Sequence, residues 1–397
     1  MAVTPAQRTW KELFAARTRS EVGEGIAEIL GLLAVPGLIS FAGGFPDPRT
    51  FPRERAAQLL AEFAETGEAS AFQYAPTRGL VGPLDAIAGR IESTQGRRPA
   101  DDELMITSGS IEALELTGKT FLDAGDTVVV EGPTYLGALM AFRGFATKIA
   151  VVPLDDDGLQ VDELERQLAA GLTPKLLYTI PDHQNPAGVS MSTERREALV
   201  ALARHYGFVI FEDVAYRELD FGEEGLPSLW SLGSDVVVQA GTTSKTFFPG
   251  VRLGWAASPA AISMHLVSAK QNTDQCAGAL GQRFFEEYVR RGYLDEQLAA
   301  SNALYRTKRD RMLAALDTSM PSDVRWTTPR GGFFSWLTLP KGDASALASA
   351  AVAAGVGIVP GALFYPDGRG NDNVRLSFSL VDESQIDEGI ATLAGLF

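Results

Sequence analysis

A lysine among hydroxyls, an aspartate closing an apolar run and a glycine-serine turn are the residues of this 397-residue chain most suited to chemistry. The lysine is Lys245, in Gly241-Thr242-Thr243-Ser244-Lys245-Thr246, with Pro249-Gly250-Val251-Arg252 close behind. The aspartate is Asp213, directly after the run 208–212. A carboxylate in that position is costly to bury unless a positive or protonated partner meets it. The turn, Thr107-Ser108-Gly109-Ser110, suits an anion at a helix N-terminus. A fourth segment, Pro181-Asp182-His183-Gln184-Asn185-Pro186-Ala187-Gly188, offers donors and acceptors. Singly, each has a plainer explanation: Asp213 a helix cap, Lys245 a solvated surface lysine, Gly109-Ser110 an ordinary turn. Together, in this order, they supply an aspartate, a lysine and a phosphate cradle, the parts a pyridoxal phosphate site requires.

The elements around them place these segments after strands. Strands are expected at 127–130, 148–153, 176–180, 208–212, 235–240 and 253–257, with helices near 136–142, 161–170 and 193–206, the last capped by Ser192 or Thr193. Apolar runs so continuous indicate a parallel α/β sheet covered on both faces. In such sheets ligands bind at the carboxyl ends of the strands. The C-terminal part reads differently. Long amphipathic helices are expected over 260–291 and 294–316, then a strand at 332–339. After it come a helix behind Asp343, short strands at 356–359 and 374–378, and a final helix from Glu383. This predicts a smaller α+β domain. The chain divides into an N-terminal segment, 1–47, packing on the small domain, a large domain, 48–289, and the small domain, 290–397.

Composition removes several function classes. Lys+Arg 35 against Asp+Glu 50 gives a net charge of −15, which repels phosphate backbones and anionic membrane surfaces. No nucleic-acid or membrane partner is expected. One cysteine, Cys276, excludes an internal disulfide framework and a Cys-rich zinc site, and His183, His205 and His265 show no ligand spacing, so no metal is expected. The N-terminus has no apolar signal core, and the uncharged stretches 29–46 and 344–366 are interrupted by Pro and Gly. A soluble cytoplasmic protein is expected.

The chain resembles the fold-type I, pyridoxal phosphate-dependent aminotransferases of class I/II, and within them the 2-aminoadipate aminotransferase branch. The resemblance covers nearly the whole chain. It rests on Ser40-Phe41-Ala42-Gly43-Gly44, Gln73-Tyr74-Ala75-Pro76-Thr77-Arg78-Gly79, Thr107 to Ser110, Gln184-Asn185-Pro186, Glu212-Asp213, Ser244-Lys245-Thr246 with Pro249 to Gly254, and Arg375-Leu376-Ser377-Phe378-Ser379. Any one is weak; seven in family order are strong. It implies a mostly parallel seven-stranded sheet in the large domain and a smaller α+β domain. It makes Lys245 the Schiff-base lysine and the proton-moving group, a role that needs a neutral amine for part of the cycle. Asp213 is then the partner of the ring nitrogen, with Asn185 and Tyr216 on the phenolate oxygen and Tyr135 stacked on the ring. The phosphate falls to Ser110, Ile111, Thr242, Ser244 and Arg252, with Tyr74 reaching it from a second subunit. Arg375 clamps the substrate carboxylate by a planar fork, helped by Gly44 and Asn185. The implied function is ping-pong transfer of nitrogen between an amino acid and a 2-oxo acid, in a homodimer with shared active sites.

Three departures from the branch stand out. Ile111 replaces a glutamine, which leaves the backbone amide able to bind phosphate. His183 replaces an aromatic and Ala187 a threonine; His183 is either a packing substitution or a substrate-facing group, with packing the expectation. Gly23, in Ser20-Glu21-Val22-Gly23, stands where the branch has an arginine that meets acidic side chains. A neutral, aromatic or basic amino donor is therefore expected. Elimination, replacement, decarboxylation or oxidation on the same cofactor is the alternative chemistry. A DNA-binding regulator would need a basic segment of roughly 60 to 80 residues ahead of Ala42, for which the sequence leaves no room.

Overall fold

Short runs of β-branched and aliphatic residues build the central sheet. In a computed structural model the described residues are 9–18, 29, 31–32, 35–66, 69–222, 225–340 and 342–397. The sheet runs in the order Leu104–Thr107, Gly254–Ala257, Val237–Thr242, Val209–Asp213, Leu176–Thr179, Thr127–Gly132, Lys148–Asp155, Gly158–Leu159. Val128, Val129 and Val130 are fully buried, as are Leu176, Leu177, Ile210 and Phe211. Helices cover both faces, as a parallel sheet requires. Among the described residues, Gly254–Ala257 and the two-residue edge strand Gly158–Leu159 run against the direction of the other strands of this sheet. That edge strand makes eight where seven were expected. It exists because Gly158, at φ +87°, folds the chain back on the end of the preceding strand.

Strand register puts the chemistry at one edge. Thr179 lies beside Glu212, and Asp213 beside Ala240, so the carboxyl ends of three parallel strands finish level. Tyr178 pairs with Phe211, and the two-residue period places Asp213 on the same side as that pair. Glu212 points the opposite way. It accepts hydrogen bonds from the amides of Leu229 and Trp230 and the side chain of Gln239, at 2.7 to 2.9 Å.

The C-terminal part has its own antiparallel sheet, Arg325–Trp326, Phe334–Thr338, Asn373–Ser377 and Val359–Pro360. The N-terminal Ile39–Ser40 pairs with Val356–Gly357. The stretch 356–359 is therefore two strands serving different sheets. The expected helix over 260–291 is also two, Ala260–Gln271 and Ala279–Arg290. The break follows Lys270, whose ammonium binds both Glu112 and Asp274 at 2.8 Å, and Gln275 takes a left-handed φ of 69°. Asp343 caps the Ala344–Ala353 helix, accepting from the Ser345 and Ala346 amides, and Ser192 caps Thr193–Tyr206. The strand Leu104–Thr107 and the helices Arg53–Thr66 and Val81–Gln95 are elements the sequence pattern did not single out. No helix among the described residues is long and apolar enough to cross a membrane.

Gly254 ties this frame to the site, lying in register with both Thr107 and Thr242. A Cβ there would meet the Gly109 carbonyl carbon at 2.6 Å and the Gly241 oxygen at 2.7 Å, both backbone atoms that cannot swing aside. Gly254→Ala should destabilise the protein by about 1–3 kcal/mol. Thermal unfolding reads this directly, and an unchanged melting temperature would mean that the strand junction is not close-packed.

Candidate active site

A cavity of about 300 Å³ opens where the strand ends meet the C-terminal sheet. Every site residue expected from the sequence lines it except Tyr74: Gly44, Ser110, Ile111, Tyr135, Asn185, Asp213, Tyr216, Thr242, Ser244, Lys245, Arg252 and Arg375. Its lining carries three cations, Lys245, Arg252 and Arg375, against one carboxylate, Asp213. In a chain of net charge −15 such a pocket is a local reversal of sign, suited to a ligand with more than one anionic group.

Asp213 sits at its floor. The Tyr178 hydroxyl donates to Oδ2 at 2.9 Å and the Ala215 amide to Oδ1 at 3.1 Å. Burial nonetheless pushes the carboxyl up to about 6, outweighing both bonds. A protonated group facing Asp213 would hold it ionised. Tyr178 is a site residue that sequence reading missed. It reads as a core aromatic of its strand, and only the register with Phe211 shows that its hydroxyl reaches Asp213.

Lys245 lies across the pocket and donates to the Gly44 carbonyl at 2.8 Å. Its ammonium stands 5.8 Å from the centre of the Tyr216 ring. Burial and then the nearby Arg375 charge lower its pKa to about 8, against the opposing pull of Asp213. Tyr216 is buried, packs edge-on to Phe333 and Phe334, and its hydroxyl meets the Asn185 side chain. Tyr135 immediately precedes the Leu136–Gly144 helix, and a Cβ on Gly137 would strike its ring at 2.5 Å.

One end of the pocket is a cluster of donors. Ser110 and Ile111 open the helix Ser110–Phe121 behind Gly109, which takes φ +92°. The first amides of a helix have no partner within it. Arg252 is held in the left-handed region at φ 55°, and its guanidinium donates to Ser244 Oγ at 3.1 Å. Thr242 and Ser244 bond to each other at 3.0 Å. A Cβ on Gly109 would meet Arg252 Nη2 at 2.7 Å, so this cradle closes around the absence of a side chain. Hydroxyls, free amides and a guanidinium with no carboxylate between them fit a phosphate.

The other end is Arg375, buried on the Asn373–Ser377 strand. It donates to Asn185 Oδ1 at 3.0 Å and to the Ala42 carbonyl at 2.5 Å, leaving Nε without a partner. Phe334 and Phe364 face its guanidinium at 4.5 and 4.8 Å. Desolvation lowers it to about 10, still charged at neutral pH. Both aromatics went unnoticed in the sequence, where they look like core residues.

Tyr74 is 83% exposed and stands apart from this pocket. His183 also lies outside the pocket lining, buried against Gly331 and Gly332, with its ring 3.3 Å from Ser190 Oγ and 3.9 Å from the Asp220 carboxylate. Ala187 is buried in a cluster with Leu136, Trp336 and Phe364. Gly23, with its flanking residues 20–24, lies outside the described residues.

Comparison with known proteins agrees with this geometry. The family described as aminotransferase class I and II matches residues 39–393. An aromatic-amino-acid aminotransferase of Thermococcus litoralis is 39% identical, over 97% of this chain and 94% of its own. The crystal structure of a Pyrococcus horikoshii kynurenine aminotransferase in complex with PMP superposes with a TM-score of 0.93 at 38% identity, covering 97% of each chain. That of LysN, an α-aminoadipate aminotransferase of Thermus thermophilus complexed with N-(5'-phosphopyridoxyl)-L-leucine, gives a TM-score of 0.91 at 37% identity, covering 98% of each.

The lowered pKa of Lys245 has a direct consequence. A group at about 8 becomes a neutral nucleophile more than two pH units below an ordinary lysine at 10.5. In cofactor-free protein, the rate of Lys245 acylation, followed by mass spectrometry, should be half-maximal near pH 8. A half-maximum near that of surface lysines would contradict the desolvated setting.

Proposed function

The chain belongs to the aminotransferase class I and II family, and from that premise we propose that its pocket takes aromatic and other neutral amino acids as donors. The reaction is amino-group transfer from an amino acid to a 2-oxo acid in two half-reactions, with pyridoxal 5'-phosphate as cofactor. The observation that carries the substrate reading is the pocket's allocation of charge. Arg252 stands in the phosphate-fitting cluster, Arg375 at the opposite end, and Lys245 between them. Among the described residues no other cation lines the cavity to meet an acidic side chain. The rest of the wall is apolar, with Ile29, Phe45, Leu136, Ile180 and Phe364. An apolar wall favours a neutral side chain and disfavours burying a second carboxylate.

The residues divide the work accordingly. The bound cofactor supplies an electron-withdrawing ring and an aldehyde that receives nitrogen. Ser110, Ile111, Thr242, Ser244 and Arg252 hold its phosphate. Asp213, fixed by Tyr178 and the Ala215 amide, keeps a proton on the ring nitrogen. Asn185 and Tyr216 donate to the phenolate oxygen, and Tyr135 covers the ring. Lys245, its pKa lowered to about 8, would take the proton from the substrate Cα and deliver it to the cofactor's aldehyde carbon, the transfer that amino-group exchange requires. Arg375 forks the substrate carboxylate, oriented by Asn185, with Gly44 beside it. A second copy of the chain supplies Tyr74 to the phosphate, consistent with a tyrosine 83% exposed among the exposed Phe72 and Val81. The same reading divides the chain at 47/48 and 289/290 and places the enzyme in the cytoplasm, in keeping with its single cysteine.

Mixing protein loaded with pyridoxal phosphate with one amino acid and no oxo acid isolates the first half-reaction. L-Phenylalanine and L-tyrosine should convert the cofactor to its amine form, with matching oxo acid, at least about tenfold more efficiently than 2-aminoadipate. Faster conversion by 2-aminoadipate would overturn the substrate reading. Product formed while the aldehyde form persists would mean elimination, decarboxylation or oxidation instead. Asp213→Ala should lower the half-reaction rate by about 10² or more. Near wild-type turnover in that variant would remove Asp213 from its assigned role.

A further inference from the structure

A buried lysine with no part in the proposed chemistry holds the wall that joins Arg375 to Lys245. That wall is the strap 41–47. The Phe41 carbonyl accepts from the Ser377 amide at 2.8 Å, the Ala42 carbonyl from Arg375 Nη2 at 2.5 Å, and the Gly44 carbonyl from Lys245 at 2.8 Å. Gly44, Phe45 and Pro46 then line the cavity. A Cβ on Gly44 would meet the Phe334 ring at 2.8 Å, so the strap has no slack toward the small sheet.

The strap ends at Asp47, which is 3% exposed. Lys308, wholly buried within the Tyr293–Ser319 helix, donates to Asp47 Oδ2 at 2.6 Å and to the Ser379 carbonyl at 2.7 Å. Tyr305, about one turn earlier, accepts from the Asp47 amide at 2.9 Å. Ser379 lies just beyond the strand that carries Arg375, and its hydroxyl bonds Ser377 Oγ at 3.0 Å. One ammonium therefore ties the far end of the strap to the run-out of the Arg375 strand. Neither of its hydrogen bonds reaches the phosphate-fitting cluster. A fully buried lysine is rare unless it is paired, and this one is paired only to this wall.

We propose that Lys308 is a positioning residue for amino-acid binding: by joining Asp47 to the Ser379 carbonyl it fixes the strap against the strand of Arg375, and with it the geometry that receives the substrate carboxylate. This rests on the reading that Arg375 takes that carboxylate. The clamp holds a carboxylate that does not itself react, so displacing it weakens binding more than it slows the reacting step.

Lys308→Met tests it in the cofactor-loaded enzyme. Asp47 keeps its fork from Arg49, at 3.0 and 2.8 Å, so no carboxylate is stranded. The dissociation constant for L-phenylalanine in the first half-reaction should rise about tenfold, with the saturating rate within about threefold of wild type and pyridoxal phosphate affinity unchanged. Tyr305→Phe deletes one oxygen of the same clamp without removing a charge. It should give a smaller rise of the same kind, and it carries the test if Lys308→Met does not fold. An unchanged phenylalanine constant in a folded variant, or an equal loss of cofactor affinity, overturns the proposal. Failure of the wild type to convert with any amino acid would instead overturn the functional reading.

Discussion

The burial of Asp213 is the constraint around which this molecule is arranged. A carboxylate at the end of a covered parallel strand loses most of its hydration, and two hydrogen bonds do not compensate, since its pKa still rises to about 6. The charge is tolerable because of what faces it. Lys245 lies across the cavity, and a protonated ring nitrogen in the proposed complex would meet the carboxylate directly. The same desolvation acts on Lys245 with the opposite sign, lowering it to about 8. One dry floor thus favours a neutral base and rewards a cationic partner for the acid.

The two ends of the pocket belong to different parts of the fold. The donors of the phosphate-fitting cluster come from turns next to the large sheet, while Arg375 comes from the small antiparallel sheet. The strap 41–47 runs from Arg375 to Lys245, with a carbonyl on each. The placement of Arg375 relative to Lys245 therefore depends on a short backbone segment and its anchor at Asp47, not on the sheet alone. Close packing at Gly44 and Gly254 removes the slack that would let either end drift.

Much of this was legible in the sequence because the chemistry follows strand ends. Lys245 and Asp213 follow apolar runs that are easily read, and the 107–110 turn is marked by its own small residues. The residues that escaped are those whose role depends on register or on distant packing. Tyr178 looks like any strand aromatic until its pairing with Phe211 places its hydroxyl at Asp213. Phe334 and Phe364 reveal their contact with Arg375 only once the small sheet is assembled. Lys308 sits on a long helix with nothing local to distinguish it from a solvated lysine. A single helix over 260–291 ignores the polar run Gln271-Asn272-Thr273-Asp274-Gln275, where the buried bonds of Lys270 to Glu112 and Asp274 accompany the break into two helices. Local pattern names the groups that can react; the contacts that hold them in place are made by residues far apart in the chain.

The central claim is that Asp213 keeps a proton on the cofactor's ring nitrogen. The ¹⁵N chemical shift of ring-labelled pyridoxal phosphate bound to the protein measures that proton. The wild type should show a protonated nitrogen at neutral pH and Asp213→Asn a neutral one. A neutral nitrogen in the wild type, or a protonated one in both proteins, would contradict the account.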